Sequence, residues 1–178
     1  PIPADKAPAY LLTDRWGQGD PGSPTSNLYC PEKNGRTSVV GCVATAMSQI
    51  IRYWQYPAVG QDRVAYKPSG LPYLAVDFDT AYYDYDLMPD RLTTASSMDQ
   101  VRATAMLCYH AGVSVRMDYD PDGSGTLSEL VVQALPKYFK YQTPRQRIRT
   151  TMSAVRWCDT LRQEINNLRP IYYSAYDP

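Results

Sequence analysis

Histidine is almost absent from this chain: among 178 residues there is one, His110. That scarcity excludes His-rich metal binding. Cys30, Cys42, Cys108 and Cys158 include no Cys-x-x-Cys pair, so the usual zinc spacings are missing as well. Net charge is also lacking, with 18 basic side chains against 18 acidic ones. Nothing in that balance argues for nucleic acid, a membrane surface or a strongly charged substrate. No apolar run approaches the roughly 20 residues of a membrane span. Internal repeats and low-complexity tracts are not apparent. An initiating Met and a signal peptide are both missing, which predicts a processed or trimmed N-terminus at Pro1.

What is present is ordinary globular material. A length of 178 residues and a hydrophobic fraction of 44% allow a real core in one domain, or most of one. Sixteen tyrosines stand out and suit half-buried strand positions or a peptide-contacting wall. Residues 1–40 are rich in Pro, Gly, Ser and Asn and read as an extended, wrapping segment. Residues 42–56 carry Val43, Ala46, Met47, Ile50, Ile51 and Trp54 at helical spacing, closed by Pro57. Residues 57–96 show no clean period.

Ser97-Met98-Asp99-Gln100 reads as a capping box opening a second helix that stops at Gly112. Val113–Met117 alternates as a strand. Thr126 and Glu129 form a second box, opening a helix with Leu127, Val131, Leu135 and Tyr138 that Pro136 must kink or shorten. Trp157, Leu161, Ile165 and Leu168 mark a last helix before Pro170, and residues 171–174 read as a strand.

Cys42 occupies the junction between turn-like sequence and the first helix, in Gly41-Cys42-Val43-Ala44-Thr45-Ala46. A sulfur in a first helical turn meets the positive end of the helix dipole and backbone N–H groups without helical partners. Both favour the nucleophilic, deprotonated form. Taken alone, Cys42 also reads as a buried structural cysteine or half of a disulfide. Gln18, in the Gly/Pro-rich stretch Trp16-Gly17-Gln18-Gly19-Asp20-Pro21, offers a side-chain amide that could face an oxyanion. Alone it reads equally as a solvated loop residue.

Together these segments resemble the streptopain family of secreted bacterial cysteine peptidases, interpains among them. The matching pieces are Trp16-Gly17-Gln18, Gly41–Ile50, Tyr53–Pro57, Tyr83–Pro89, Ala111–Tyr119 and Pro170–Ser174, in the family's order and nearly from end to end. The resemblance implies an α+β, papain-like fold with the nucleophile heading the central helix. It implies Cys42 as nucleophile and Gln18 in the oxyanion hole. It implies a secreted thiol endopeptidase that acts on protein and peptide substrates and needs no cofactor, nucleic acid or membrane. A free nucleophile leaves at most one disulfide among Cys30, Cys108 and Cys158.

The same resemblance places the catalytic histidine in a Gly-His-Ala-Phe type segment shortly after Pro170–Ser174, and no such segment occurs here. His110 has no catalytic counterpart in the family and reads as a helix C-terminal imidazole. Residues 1–178 are therefore expected to form the N-terminal, mostly helical part of one catalytic domain. The C-terminal part of the same enzyme is the expected partner, supplying the histidine.

A rival motif spans Asp118–Glu129. Asp118, Asp120, Asp122 and Glu129 satisfy a calcium-loop pattern, with Gly123 at its turn. This supports an alternative function, a non-enzymatic calcium-binding or adhesive module. A strand rather than a helix is expected to enter the loop, and no second copy exists. Gly123, Ser124 and Gly125 could instead bring backbone close to an extended peptide and border a substrate cleft.

Overall fold

A computed structural model describes residues 10–18 and 26–175. The expected N-terminus at Pro1 and the Gly19-Asp20-Pro21 stretch lie outside the described residues. The elements are β1 (Glu32–Lys33), β2 (Arg36–Thr37), α1 (Cys42–Trp54), β3 (Arg63–Tyr66), β4 (Leu74–Asp77), α2 (Met98–Ser114), α3 (Leu130–Phe139) and α4 (Ala154–Asn166). The result is a helix-dominated α+β chain with two small antiparallel hairpins, β1–β2 and β3–β4.

The core is built where α1 crosses α2. Val43, Ala44, Met47, Ile50 and Ile51 form the buried stripe of α1. Its C-terminus closes on Gln55 in the left-handed conformation. The capping box at Ser97 and Gln100 forms as its spacing predicts. Gly112 is not the stop of α2, because the helix runs on to Ser114. Its lack of a side chain serves packing: a Cβ there would fall 2.3 Å from Tyr119 Oη and 3.5 Å from Ala44 Cβ. The expected strand Val113–Met117 is absent. Val113, Val115 and Met117 are fully buried, but as the end of α2 and the turn after it.

The second capping box does not form either. Thr126 donates its hydroxyl proton to the Val115 carbonyl at 2.5 Å, and α3 starts only at Leu130 with no side-chain cap. Leu127 is left outside the helix and exposed. Pro136 lies inside α3, which ends three residues later. Residues 171–174 join no sheet. Ser128 Oγ instead lies 3.0 Å from both Tyr172 Oη and Ser174 Oγ.

The hairpin β3–β4 lies in the stretch without a clean period, pairing Val64 with Val76 and Tyr66 with Leu74. Phe78, just after β4, stacks on Tyr138 at 4.8 Å and meets Phe139 edge-on at 5.5 Å, tying the hairpin to α3. Few tyrosines sit in strands. Their hydroxyls pin distant backbone instead: Tyr66 donates to the Met117 carbonyl, Tyr85 to Pro57, Tyr141 to Tyr56 and Tyr53 to Leu168. Among the described residues no helix is long and apolar enough to cross a membrane.

Candidate active site

The entry to α1 is fixed from three directions. Gly41, with φ 88° and ψ 143°, turns the chain into the helix, and its carbonyl accepts both the N–H and the hydroxyl proton of Thr45 at 3.0 Å. Such a positive φ suits only glycine. Here a Cβ would also lie 2.6 Å from Met117 Cε and 3.2 Å from the Ser124 carbonyl. Val40, Gly41, Val43 and Ala44 are buried, while Cys42 between them is exposed. No side chain caps α1, and its first turn holds no acidic residue. The positive end of the helix dipole therefore faces the Cys42 sulfur without a competing carboxylate.

All four cysteines are free thiols. Cys108 is fully buried, and burial pushes its thiol up to about 12. Burial raises the Cys30 thiol as well. Neither is a nucleophile in this setting. Cys158 is exposed on α4, remote in sequence from the turn that builds the Cys42 site.

The segment carrying Gln18 is strapped along α1. Trp16 is buried and donates its indole N–H to the Pro89 carbonyl at 2.8 Å. Arg52 of α1 sits 5.6 Å over the Trp16 ring and pairs with Asp14 and Asp90. Gln49 reaches the Trp16 carbonyl at 3.5 Å. Gln18 is half-buried, and its side-chain oxygen is buried without a partner among the described residues. An orphaned buried amide oxygen costs about 1–3 kcal/mol.

The backbone of Gln18 is held by residues that sequence reasoning gave no role, Ser26 and Asn27. They donate to the carbonyls of Gly17 and Gln18 at 2.9 and 2.8 Å. The Asn27 side-chain oxygen accepts the Val40 N–H at 2.8 Å, two residues before the nucleophile. No local pattern announces these contacts.

The loop of the rival motif abuts the same turn. Asp118 and Gly125 exchange backbone hydrogen bonds at 2.8 and 3.1 Å, closing a narrow hairpin. Ser124 donates to the Val39 carbonyl at 2.5 Å, and Val39 donates to the Asp120 carbonyl at 3.2 Å. Gly123 and Gly125 are exposed beside it.

The carboxylates of this loop are engaged with other groups. Asp118 accepts the Ser69 N–H at 2.8 Å, Asp120 pairs with Lys33 at 3.1 Å, and Asp122 pairs with Arg36 at 2.8 Å. Glu129 sits at the head of α3 and caps nothing. Among the described residues no group of acidic, Cys or His side chains is placed to hold a metal ion.

His110 is not at a helix end and does not cap the last carbonyls. Its Nδ1 shares a hydrogen bond with the Tyr83 hydroxyl at 3.0 Å, and its ring meets Phe78 and Tyr83 edge-on at 5.6 and 5.8 Å. Burial lowers its pKa to about 4. It is a half-buried histidine seated among aromatic rings.

Comparison with known proteins places these features in company. The model of the peptidase C10 family matches residues 16–177. The thiol protease/hemagglutinin PrtT of Porphyromonas gingivalis is 30% identical over 163 residues, covering 89% of this chain and 18% of that protein. Streptopain of Streptococcus pyogenes is 31% identical over 174 residues, covering 90% of this chain and 44% of that protein. The active interpain A cysteine protease of Prevotella intermedia superposes with a TM-score of 0.79 at 29% identity, over 88% of this chain and 64% of that one. A prointerpain A fragment from the same organism gives a TM-score of 0.79, over 88% and 50%. The chain thus spans less than half the length of the curated relatives it matches.

Proposed function

The chain belongs to the peptidase C10 family and has its papain-like α+β fold, and from that premise we propose that it carries the nucleophile and the oxyanion site of a thiol endopeptidase. Cys42 Sγ attacks the carbonyl carbon of a peptide bond. The carbonyl oxygen becomes an oxyanion that accepts hydrogen bonds from the Cys42 N–H and the Gln18 amide. Collapse expels the amine, which takes up a proton, and leaves a thioester on Cys42. Water then hydrolyses the thioester and frees the thiol. Gly123, Ser124 and Gly125, pinned against the Val39–Cys42 turn, supply backbone for an extended substrate.

The observation that carries this reading is the placement of Cys42. It is an exposed free thiol heading the central helix, on a turn that only glycine can make and with no acid opposing it. The base is a histidine from outside residues 1–178. The aromatic seat of His110 supports this, because its Nδ1 is already bonded and burial makes the ring a weaker base. That histidine comes from the C-terminal part of the same enzyme. The family resemblance supports secretion, and the likeness to a prointerpain fragment supports synthesis as a precursor.

Labelling tests the assignment. A peptidyl chloromethyl ketone is expected to modify Cys42 in the intact enzyme, and Cys42→Ala to abolish both labelling and turnover. Label found on Cys158, the other exposed thiol, would sink the reading.

A further inference from the structure

An oxyanion site works by preorganisation: its donors must already converge when charge develops. The Cys42 N–H is fixed by α1. Gln18 lies on irregular backbone, where neither helix nor strand ladder can hold it. What holds it is a clasp of two adjacent side chains, Ser26 at 2% exposure and Asn27 at 7%. Ser26 binds the Gly17 carbonyl and Asn27 the Gln18 carbonyl. The oxygen of the same Asn27 amide binds the Val40 N–H, and only Gly41 separates Val40 from Cys42. The Asn27 carbonyl accepts the Cys30 N–H at 2.8 Å, which steadies the clasp from behind.

We propose that Asn27, assisted by Ser26, is a positioning residue that sets the Gln18 amide against the Cys42 N–H so that both donors meet one oxyanion. The proposal rests on the reading of Gln18 given above. The residue type is specific. One side-chain end must donate to a carbonyl and accept from an N–H, and an amide does both. Asp lacks the donor, and an apolar isostere lacks both groups.

Kinetics on the full-length enzyme separate positioning from mere support. Asn27→Ala is expected to lower kcat by about 10–10²-fold with little change in KM. Alkylation of Cys42 by iodoacetamide, a displacement that forms no oxyanion, should keep its rate. In a Gln18→Ala background, Asn27→Ala should add no further loss, because the group it places is gone. A fully additive loss, or an equal fall in the alkylation rate, overturns the clasp and leaves the role of Gln18 standing. An unchanged kcat in Gln18→Ala overturns both. Ser26→Ala deletes a single oxygen and is expected to follow the same non-additive pattern with a smaller loss. It carries the test should Asn27→Ala fail to fold.

Discussion

Gly41 and Met117 touch so closely that no side chain fits between them: a Cβ on Gly41 would lie 2.6 Å from Met117 Cε and 2.9 Å from its sulfur. Met117 is fully buried, and the Ser124 carbonyl, 3.2 Å from the same Cβ position, is backbone that cannot swing aside. The backbone of Gly41 is itself in a region that disfavours other residues. Strain of this kind costs about 1–3 kcal/mol before any clash is added.

Gly41→Ala is therefore expected to lower the melting temperature by about 2–12 °C, at the usual 2–4 °C per kcal/mol for a chain of this size. The same change should slow alkylation of Cys42, since Gly41 aims the residue after it. Scanning calorimetry and a thiol-labelling time course check both outcomes. An unaltered melting temperature would show that Met117 gives way freely.

Gln18→Ala should lower kcat by about 10²–10³-fold while KM moves far less. An oxyanion donor acts on the transition state more than on the bound substrate. Steady-state kinetics on the full-length enzyme decide it, and an equal change in KM with kcat intact would assign Gln18 to substrate binding instead.

How much of this was legible in the sequence depends on the range of the interaction that decides each element. α1 was readable because its stripe, Gly41 and Pro57 are local signals that tertiary packing reinforces. The Ser97–Gln100 box was readable for the same reason. The Thr126–Glu129 box has the same letters, yet Thr126 spends its hydroxyl on a carbonyl eleven residues upstream, a choice no local window contains. The apolar alternation of Val113, Val115 and Met117 suggested a strand. It belongs instead to the end of α2 and a turn at Arg116, whose φ is 52°. The β3–β4 hairpin was missed because each strand offers only four residues of period two. Around Cys42, its position at the head of α1 was visible from its local setting. Ser26 and Asn27 were not, because their partners are fixed only when the chain returns on itself.

His110 predicts a pH dependence of stability. Its pKa falls from 6.5 to about 4 on folding, because burial disfavours the imidazolium. The native state therefore binds fewer protons than the unfolded state between those values, and stability rises with pH there. The contribution is complete above pH 6.5 and is lost as pH falls toward 4. At 1.36 kcal/mol per pKa unit it amounts to roughly 3 kcal/mol. Denaturant unfolding of wild type and His110→Asn across this range isolates it, as the gap between the two should close as the pH drops. A gap that stays constant would mean that His110 titrates alike in both states.

Calcium should leave the melting temperature unchanged. Asp120 and Asp122 are paired with Lys33 and Arg36, and Asp118 is bonded to backbone, so binding would have to break these contacts before gaining its own. A ligand that binds the native state would raise the transition according to its affinity. Thermal melts in millimolar calcium and in chelator compare the two conditions. A clear rise with calcium would show that the loop reorganises around the ion.

Residues 1–178 alone should hydrolyse no peptide, even though Cys42 is accessible. Proton transfer to the leaving amine needs an acid near the sulfur, and the single imidazole of the sequence is held by Tyr83 among aromatic rings. Acid–base assistance of this kind is worth about 10²–10⁴ in rate. The helical end of the chain is also short of partners: no residue of α4 is buried, and Val155 is 72% exposed. Such a face gains little from packing and should be the first part to open. Purified 1–178, shown by mass to be without a partner, is assayed on an unfolded protein and compared with the same chain mixed with a polypeptide carrying the family's Gly-His-Ala-Phe type segment. Activity is expected only in the mixture. Turnover by 1–178 alone that Cys42→Ala abolishes would mean that His110 leaves its aromatic seat to serve as the base.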